Sequence, residues 1–328
     1  MSWSAIDPYG FERPEDFDYQ TYEEFMTHYL AVLARRAGKW SSLLSARTKV
    51  ERSRKVKRYC RKGIPGEHRG MVWMHISGAQ KRMEDNPGLY EKLMAGPFDQ
   101  RLLETINTDI HRTFPENIYF KEGAEEGKRK PLYNVLVAYG HHNSGVGYCQ
   151  GLNFITGLLL LVVKDEEMTF FLLDILLDKL LPDYYTQDMI GLKTDQEVLG
   201  ELVRIKLPNL HAHVEAEGVP WSLPTTKWFI CLYLEVLPLE TVLRIWDSLF
   251  YEGSKIIFRV ALTMLNQHQN IILTSKSFPN VVEAFKRMTT DSSNVDCHIF
   301  MQNVFSVPGS LSMSMIKKLR AEFRAKCV

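Results

Sequence analysis

An all-α fold is predicted by three features of this chain. Apolar residues recur at i, i+3 and i+4 through segment after segment. Hairpin signatures, two alternating runs joined by Asn-Gly or Asp-Gly, are absent. No unit of fixed period repeats, which argues against a solenoid. A multi-helix fold with no substantial sheet follows.

Residues 1 to 24 hold seven acids and one base, Arg13, and lack the apolar stretch of a secretory leader. Residues 47 to 62, RTKVERSRKVKRYCRK, hold nine bases and one acid, Glu51. That block reads either as a solvated helix face or linker, or as contact with an anionic membrane or an acidic partner. KGIPGEHRG then supplies Gly and Pro punctuation, so residues 1–62 read as an N-terminal flank and a domain opens near 63. LLETINTDIHRTF, 102–114, sets Leu103, Ile106 and Ile110 at helical spacing, and Pro115 stops the run. PENIYFKEGAEEGKRKP, 115–131, is charged and glycine-bearing and reads as a mobile loop. LYNVLVAYGHHN reads as helix. FITGLLLLVV, 154–163, has roughly half of the ~20 apolar residues that a membrane span needs, and KDEE follows it. It is predicted to be a buried core helix. TFFLLDILLDKLLPDYY is too densely apolar for a half-exposed strand and ends at Pro182. DQEVLGELVRIKLP, LETVLRIWDSLF, KIIFRVALTMLNQHQNII and SMIKKLRAEFRAK complete the helical series.

Bulk composition narrows the function classes. With 328 residues and 45% hydrophobic content the chain can bury a large core in one or two domains. Forty bases against 39 acids give a net charge of +1, so no global field recruits nucleic acid. The five cysteines are odd in number and widely spread, with no Cys-x-x-Cys pair, which disfavours a zinc site or disulfide framework and fits a reduced intracellular compartment.

Three stretches invite chemistry. GVGYCQGLNF, 145–154, resembles a phosphate cradle at first sight. Its spacing is G-x-G-x-x-x-G rather than G-x-G-x-x-G, the segment before it is helical, and Leu152 and Asn153 stand where a Walker loop needs Lys and Ser or Thr. The glycines therefore read as turn formers ahead of a buried helix. Gln150 is polar at the mouth of that helix, and its amide can orient a water without adding charge. Cys149 lies near His141 and His142, but no carboxylate orienter is evident for a Cys–His pair. In INTDIHRTFP, Ile106, Asp109 and Arg112 are spaced by three, so Asp109 and Arg112 are neighbours on a helix surface. That spacing is either an ordinary surface ion pair or an arginine held by an aspartate, with a planar guanidinium suited to phosphoryl oxygens. In GIPGEHRGMVWMHISGA, Arg69 and Trp73 stand at i and i+4 of a first core helix.

These blocks in this order resemble the TBC domain, the GTPase-activating domain for Rab-type small G proteins. Arg69-x-x-x-Trp73 resembles the family's first motif, Ile106-x-x-Asp109-x-x-Arg112 its arginine-finger motif, and Tyr148-x-Gln150-Gly151 its glutamine-finger motif. Asp195, Trp228, Trp246, Asp247 and Gly253 fall in segments that agree further downstream. Leu152 departs from the family's frequent Met, a size-conserving apolar change. The resemblance implies a two-lobed helical fold, with a core over 63–253 completed by C-terminal helices over 254–328. It also implies activation in trans. Arg112 would enter a Rab's nucleotide pocket and Gln150 would orient the attacking water. Asp109 would hold Arg112 or contact the Rab backbone. Tyr148 and Gly151 would shape the loop that aims Gln150. Ile106, Arg69 and Trp73 would support. The chain would bind no cofactor or metal of its own, since GTP and Mg belong to the partner Rab in its GTP form. A cytoplasmic protein working peripherally at endomembranes, in vesicle trafficking, is expected, with residues 47–62 as a contact for the membrane. The competing expectation is a non-catalytic Rab-binding scaffold or effector.

Overall fold

A computed structural model describes residues 4–45, 49–289 and 296–327. Arg47 and Thr48, the first two residues of the basic block, lie outside that set, as do residues 1–3 of the acidic start. Among the described residues the chain is all-α: it has no strand, and its extended pairings are two isolated bridges, Ile6 with Glu12 and Phe11 with Asn117. The chain divides into two compact units, residues 1–59 with 63–176, and residues 60–62 with 177–328.

The first unit is built from α1 (Tyr19–Leu44), α2 (Arg54–Lys62, whose last residues fall in the second unit), α3 (Gly66–Ser77), α4 (Ala79–Glu84), α5 (Leu89–Met94), α6 (Gln100–Ile110), α7 (Arg129–His142), α8 (Leu152–Val163) and α9 (Glu166–Ile175). Helix starts follow capping chemistry. Asp18 accepts from the Thr21 N–H at 2.9 Å, Asp99 from Arg101 at 2.8 Å and Asp165 from Met168 at 2.8 Å. Asp165 belongs to the KDEE stretch, so the acids that follow the apolar run cap the next helix and place Glu166 and Glu167 against its positive end. The run itself is α8, the centre of the unit, packed by α3, α7 and α9. Its Leu152, Ile155, Leu158 and Leu159 are fully buried, each stabilising by roughly 1.5–3 kcal/mol. No helix among the described residues is long and apolar enough to cross a membrane. Trp73 is buried in α3, and Trp40 of α1 donates from its indole to the Gly63 carbonyl at 3.1 Å.

The stretch expected to be a mobile loop is tied down. Asn117 and Phe120 are fully buried. The Ile118 N–H donates to the Gly10 carbonyl at 2.9 Å, Glu12 N–H to the Glu116 carbonyl at 2.9 Å, and Lys128 N–H to the Tyr119 carbonyl at 2.7 Å. The charged, glycine-bearing part, 121–126, is largely exposed as its composition suggests, whereas backbone groups of 116–118 are satisfied by an N-terminal strip about a hundred residues away in sequence.

The second unit holds α10 (Ile190–Lys206), α11 (Pro208–Ala216), α12 (Ser222–Ile230), α13 (Leu239–Glu252), α14 (Lys255–Thr274), α15 (Phe278–Thr289), α16 (Cys297–Ser306) and α17 (Met313–Cys327). The dense apolar run that begins in α9 does not continue as α-helix to Pro182: Leu176–Leu180 form a π-helical turn. Asp195 of α10 is buried and receives the Tyr184 hydroxyl and a two-pronged Arg320 guanidinium at 2.7 and 2.6 Å, which pins α17 to α10. Trp246 is buried in α13 and donates to the Leu232 carbonyl at 3.1 Å. Glu252 closes α13 between Arg61 and Lys255, 2.5 and 2.8 Å away.

Candidate functional site

The three marked stretches all fall in the first unit. Ile106 is fully buried in α6 and holds the helix to the core. α6 ends at Ile110, earlier than the Pro115 stop predicted from periodicity. His111–Phe114 turn instead. The Arg112 N–H bonds back to the Asp109 carbonyl at 3.3 Å, Thr113 N–H to Ile110 at 3.2 Å, and the Thr113 hydroxyl donates to the Asp109 carbonyl at 2.8 Å. Phe114 then takes a left-handed backbone conformation, φ 48°, which costs about 1–2 kcal/mol for a residue with a side chain. Burial of its ring beside Phe120 and Phe154, with centroids 5.5 and 5.6 Å away, offsets that cost.

Asp109 is only 5% exposed, and both of its carboxylate oxygens are engaged. One carboxylate oxygen lies 2.7 Å from Arg112 Nη2, and the other accepts from the Tyr148 hydroxyl at 2.6 Å. An exposed i, i+3 pair is worth little. Here one member is buried and shared, so the pair fixes geometry. Arg112 keeps its outer face in solvent, 48% exposed. Burial, and then the hydrogen bond to Asp109, push the Tyr148 phenol well above its ordinary value, so it remains a proton donor to the carboxylate.

Gln150 is exposed in the turn that enters α8, and its side chain makes no hydrogen bond among the described residues. Gly147 and Gly151 adopt φ of 56° and 105°, as turn-forming glycines should, whereas Gly145 does not use the left-handed region. Asn153, fully buried in the first turn of α8, joins the two stretches. Its Oδ1 accepts from the Gly151 N–H at 3.2 Å, and its Nδ2 donates to the Thr113 hydroxyl at 2.9 Å. One helical turn further, Gly157 lets the arginine-bearing turn lie against α8: a Cβ there would sit 2.8 Å from the Phe114 ring.

The arrangement limits the chemistry. Burial and the Asp109 charge push the Cys149 thiol up, the wrong direction for a nucleophile. His141 Nδ1 lies 3.0 Å from the Leu93 carbonyl, and His142 Nε2 lies 3.6 Å from Asp174. Asp109, occupied by two donors, is not poised as a general base. What the site offers outward is a permanently charged planar guanidinium and a neutral amide.

The sequence model of the Rab-GTPase-TBC domain matches residues 66–273. The chain belongs to this family. It is 58% identical to growth hormone-regulated TBC protein 1 of Homo sapiens over 98% of this chain and 95% of the relative, and 57% identical to growth hormone-regulated TBC protein 1-A of Danio rerio over 99% and 91%. A solved Chlamydomonas flagellar RabGAP TBC domain superposes with a TM-score of 0.78 at 31% identity, covering 92% of this chain and 99% of that one. The Ypt/Rab-GAP domain of GYP1P shares the fold alone, at a TM-score of 0.69 and 20% identity over 84% of this chain and 98% of that one.

In this TBC chain the second and third motifs meet at Asp109, while the first lies elsewhere in the unit's framework. Arg69 is 2% exposed and donates to the Tyr9 hydroxyl, and Trp73 is fully buried. The TBC segments around Asp195, Trp228 and Trp246 supply core of the second unit. Thr113, Phe114 and Asn153 escaped the sequence reading. Only Asn153 left a signal there, as a polar residue opening an otherwise apolar helix.

Proposed function

We propose that this chain accelerates GTP hydrolysis on a Rab-family GTPase by lending it two side chains in trans. The observation that carries this reading is the Asp109 carboxylate, which serves Arg112 with one oxygen and Tyr148 with the other and so gathers the two motifs into one outward-facing cluster.

Arg112 enters the partner's nucleotide pocket and donates to the oxygens on which charge accumulates as the γ-phosphoryl group leaves. An arginine supplied this way is worth about 10³–10⁵ in rate, roughly 4–7 kcal/mol. Gln150 accepts a hydrogen bond from the attacking water through its amide oxygen and donates from its nitrogen, which fixes the water in line. Asp109 holds Arg112 until the partner arrives. Tyr148 anchors the loop, and Gly151 turns it so that Gln150 leads. Ile106, Arg69 and Trp73 act through the framework. GTP and Mg²⁺ come with the Rab. A Rab partner implies work at the cytoplasmic face of endomembranes, and the exposed Arg54, Lys55, Arg58 and Lys62 of α2 suit an anionic bilayer there.

Phosphate release from a panel of GTP-loaded Rabs tests the assignment. With a responsive Rab, Arg112→Ala and Arg112→Lys are expected to lose about 10³-fold or more, because lysine keeps charge but lacks the planar fork. Gln150→Ala is expected to fall comparably. All three variants should remain folded by circular dichroism, with Arg112→Ala melting somewhat lower because the buried Asp109 loses its cation. A chain that binds GTP-loaded Rabs and accelerates none would instead be a scaffold.

A further inference from the structure

The N-terminal strip, outside the matched domain, lies on the turn that carries Arg112. Asp7 folds the strip: its Oδ1 accepts from the Tyr9 and Phe11 N–H groups at 2.8 and 2.9 Å, and its own N–H donates to the Phe11 carbonyl at 2.8 Å. Gly10 sits at the crest with φ 90°, so close beneath Tyr119 that a Cβ would lie 2.6 Å from the ring. Three bonds then stitch the strip to residues 116–118, and a fourth ties it to α3. Ile118 N–H reaches Gly10, Glu12 N–H reaches Glu116, Asn117 Nδ2 reaches the Tyr9 carbonyl at 3.0 Å, and Arg69 reaches the Tyr9 hydroxyl. Phe11 lays its edge against the Phe114 ring at 5.0 Å. Phe114 is the left-handed residue two places after Arg112, and a residue in that conformation persists only where its surroundings dictate it.

We infer that residues 7–12 are a clasp that positions Arg112, an inference that rests on the Rab-activating reading above. Phe11 and Gly10 are positioning residues: they fix Phe114 and the 116–118 backbone, which fix the approach of the guanidinium. Neither touches Gln150 in any described contact, so the clasp acts on the arginine arm of the site.

The test uses the full chain. Phe11→Ala and Gly10→Ala loosen the clasp from its two sides, and Phe11→Leu keeps apolar bulk. The expected result is a kcat about tenfold or more below wild type at saturating GTP-loaded Rab, with KM within about twofold, since misplacement of a catalytic group by about 1 Å costs up to 10²-fold. Amide hydrogen exchange should quicken over residues 111–120 and stay unchanged in α10. Phe11→Leu should recover most of the rate. Combined with Arg112→Ala, Phe11→Ala should add no further loss, because there is no guanidinium left to aim. A merely structural role would instead multiply the two losses. Unchanged kcat and unchanged exchange in Phe11→Ala and Gly10→Ala, a loss confined to KM, or multiplicative losses in the double variant would each overturn the clasp. These outcomes presuppose an active wild-type chain. A wild-type chain that accelerates no Rab in the panel overturns the activating reading itself, and the clasp's role with it.

Discussion

Asn153 is the residue on which the two halves of the site lean. Its amide satisfies the Gly151 N–H and engages the Thr113 hydroxyl, both out of reach of bulk water. Asn153→Ala leaves the buried Gly151 N–H unpaired and removes one of the two bonds of the Thr113 hydroxyl, and is expected to cost about 1–3 kcal/mol of stability, read by denaturant unfolding. The same variant should weaken its stimulation of phosphate release from a GTP-loaded Rab beyond what its residual folded fraction explains, because both arms lose a common anchor. The geometry of the motif residues was legible: spacing put Arg112 beside Asp109, and glycine content put Gln150 in a turn ahead of a buried helix. Thr113 and Phe114 were not. Their importance lies in a hydroxyl donated backward to Asp109 and a backbone angle, and neither follows from residue type.

At the scale of the element, periodicity located the helices far better than their ends. α8 declared itself because a run of leucines with no charge has only the core to go to. α6 was drawn four residues too long because Pro115 was the nearest local stop, whereas the actual stop is a ring pocket built by distant residues. The start of the loop after it, 116–120, is held by the same distant residues, while its charged middle is exposed. The basic block also divides on inspection: Arg52 donates to the Ile76 carbonyl and Arg61 pairs with Glu252, so two of its bases are structural. Burial alone would raise the Glu252 carboxyl, but the hydrogen bonds and charges of Arg61 and Lys255 outweigh it and hold the group at about 2, below its ordinary 4.5. A depressed carboxyl adds stability that is fully present above pH 4.5 and is lost as pH falls toward 2. Acid unfolding followed between pH 6 and 3 should therefore weaken less steeply in Glu252→Gln, which begins about 1–3 kcal/mol less stable at neutral pH.

Across the whole molecule, the near-zero net charge conceals an uneven distribution. Arg54, Arg58 and Lys62 recur every four residues along α2, with Lys55 beside them, and all four are exposed. Each base near an anionic surface is worth about 1 kcal/mol, so sedimentation with phosphatidylserine-containing vesicles should be measurable at low salt and fade toward 0.5 M. Arg54→Glu with Arg58→Glu should abolish it while leaving phosphate release from a soluble Rab intact. If those reversals leave sedimentation unchanged, α2 is a solvated face and no more. The division into two units was expected from the family resemblance rather than from composition, which gave no marker for the passage at Leu176–Leu177.

The shared carboxylate of Asp109 has a consequence for how such a chain can change over generations. Two motifs 39 positions apart at their point of contact share one carboxylate, beside the link that Asn153 supplies. On the activating function proposed above, a mutation of Asp109 would unseat Arg112 and loosen the Tyr148 anchor of the Gln150 loop together, and so relax selection on both. Drift should erode the two motifs as a pair once that aspartate is gone, and a lineage that keeps it has reason to keep both.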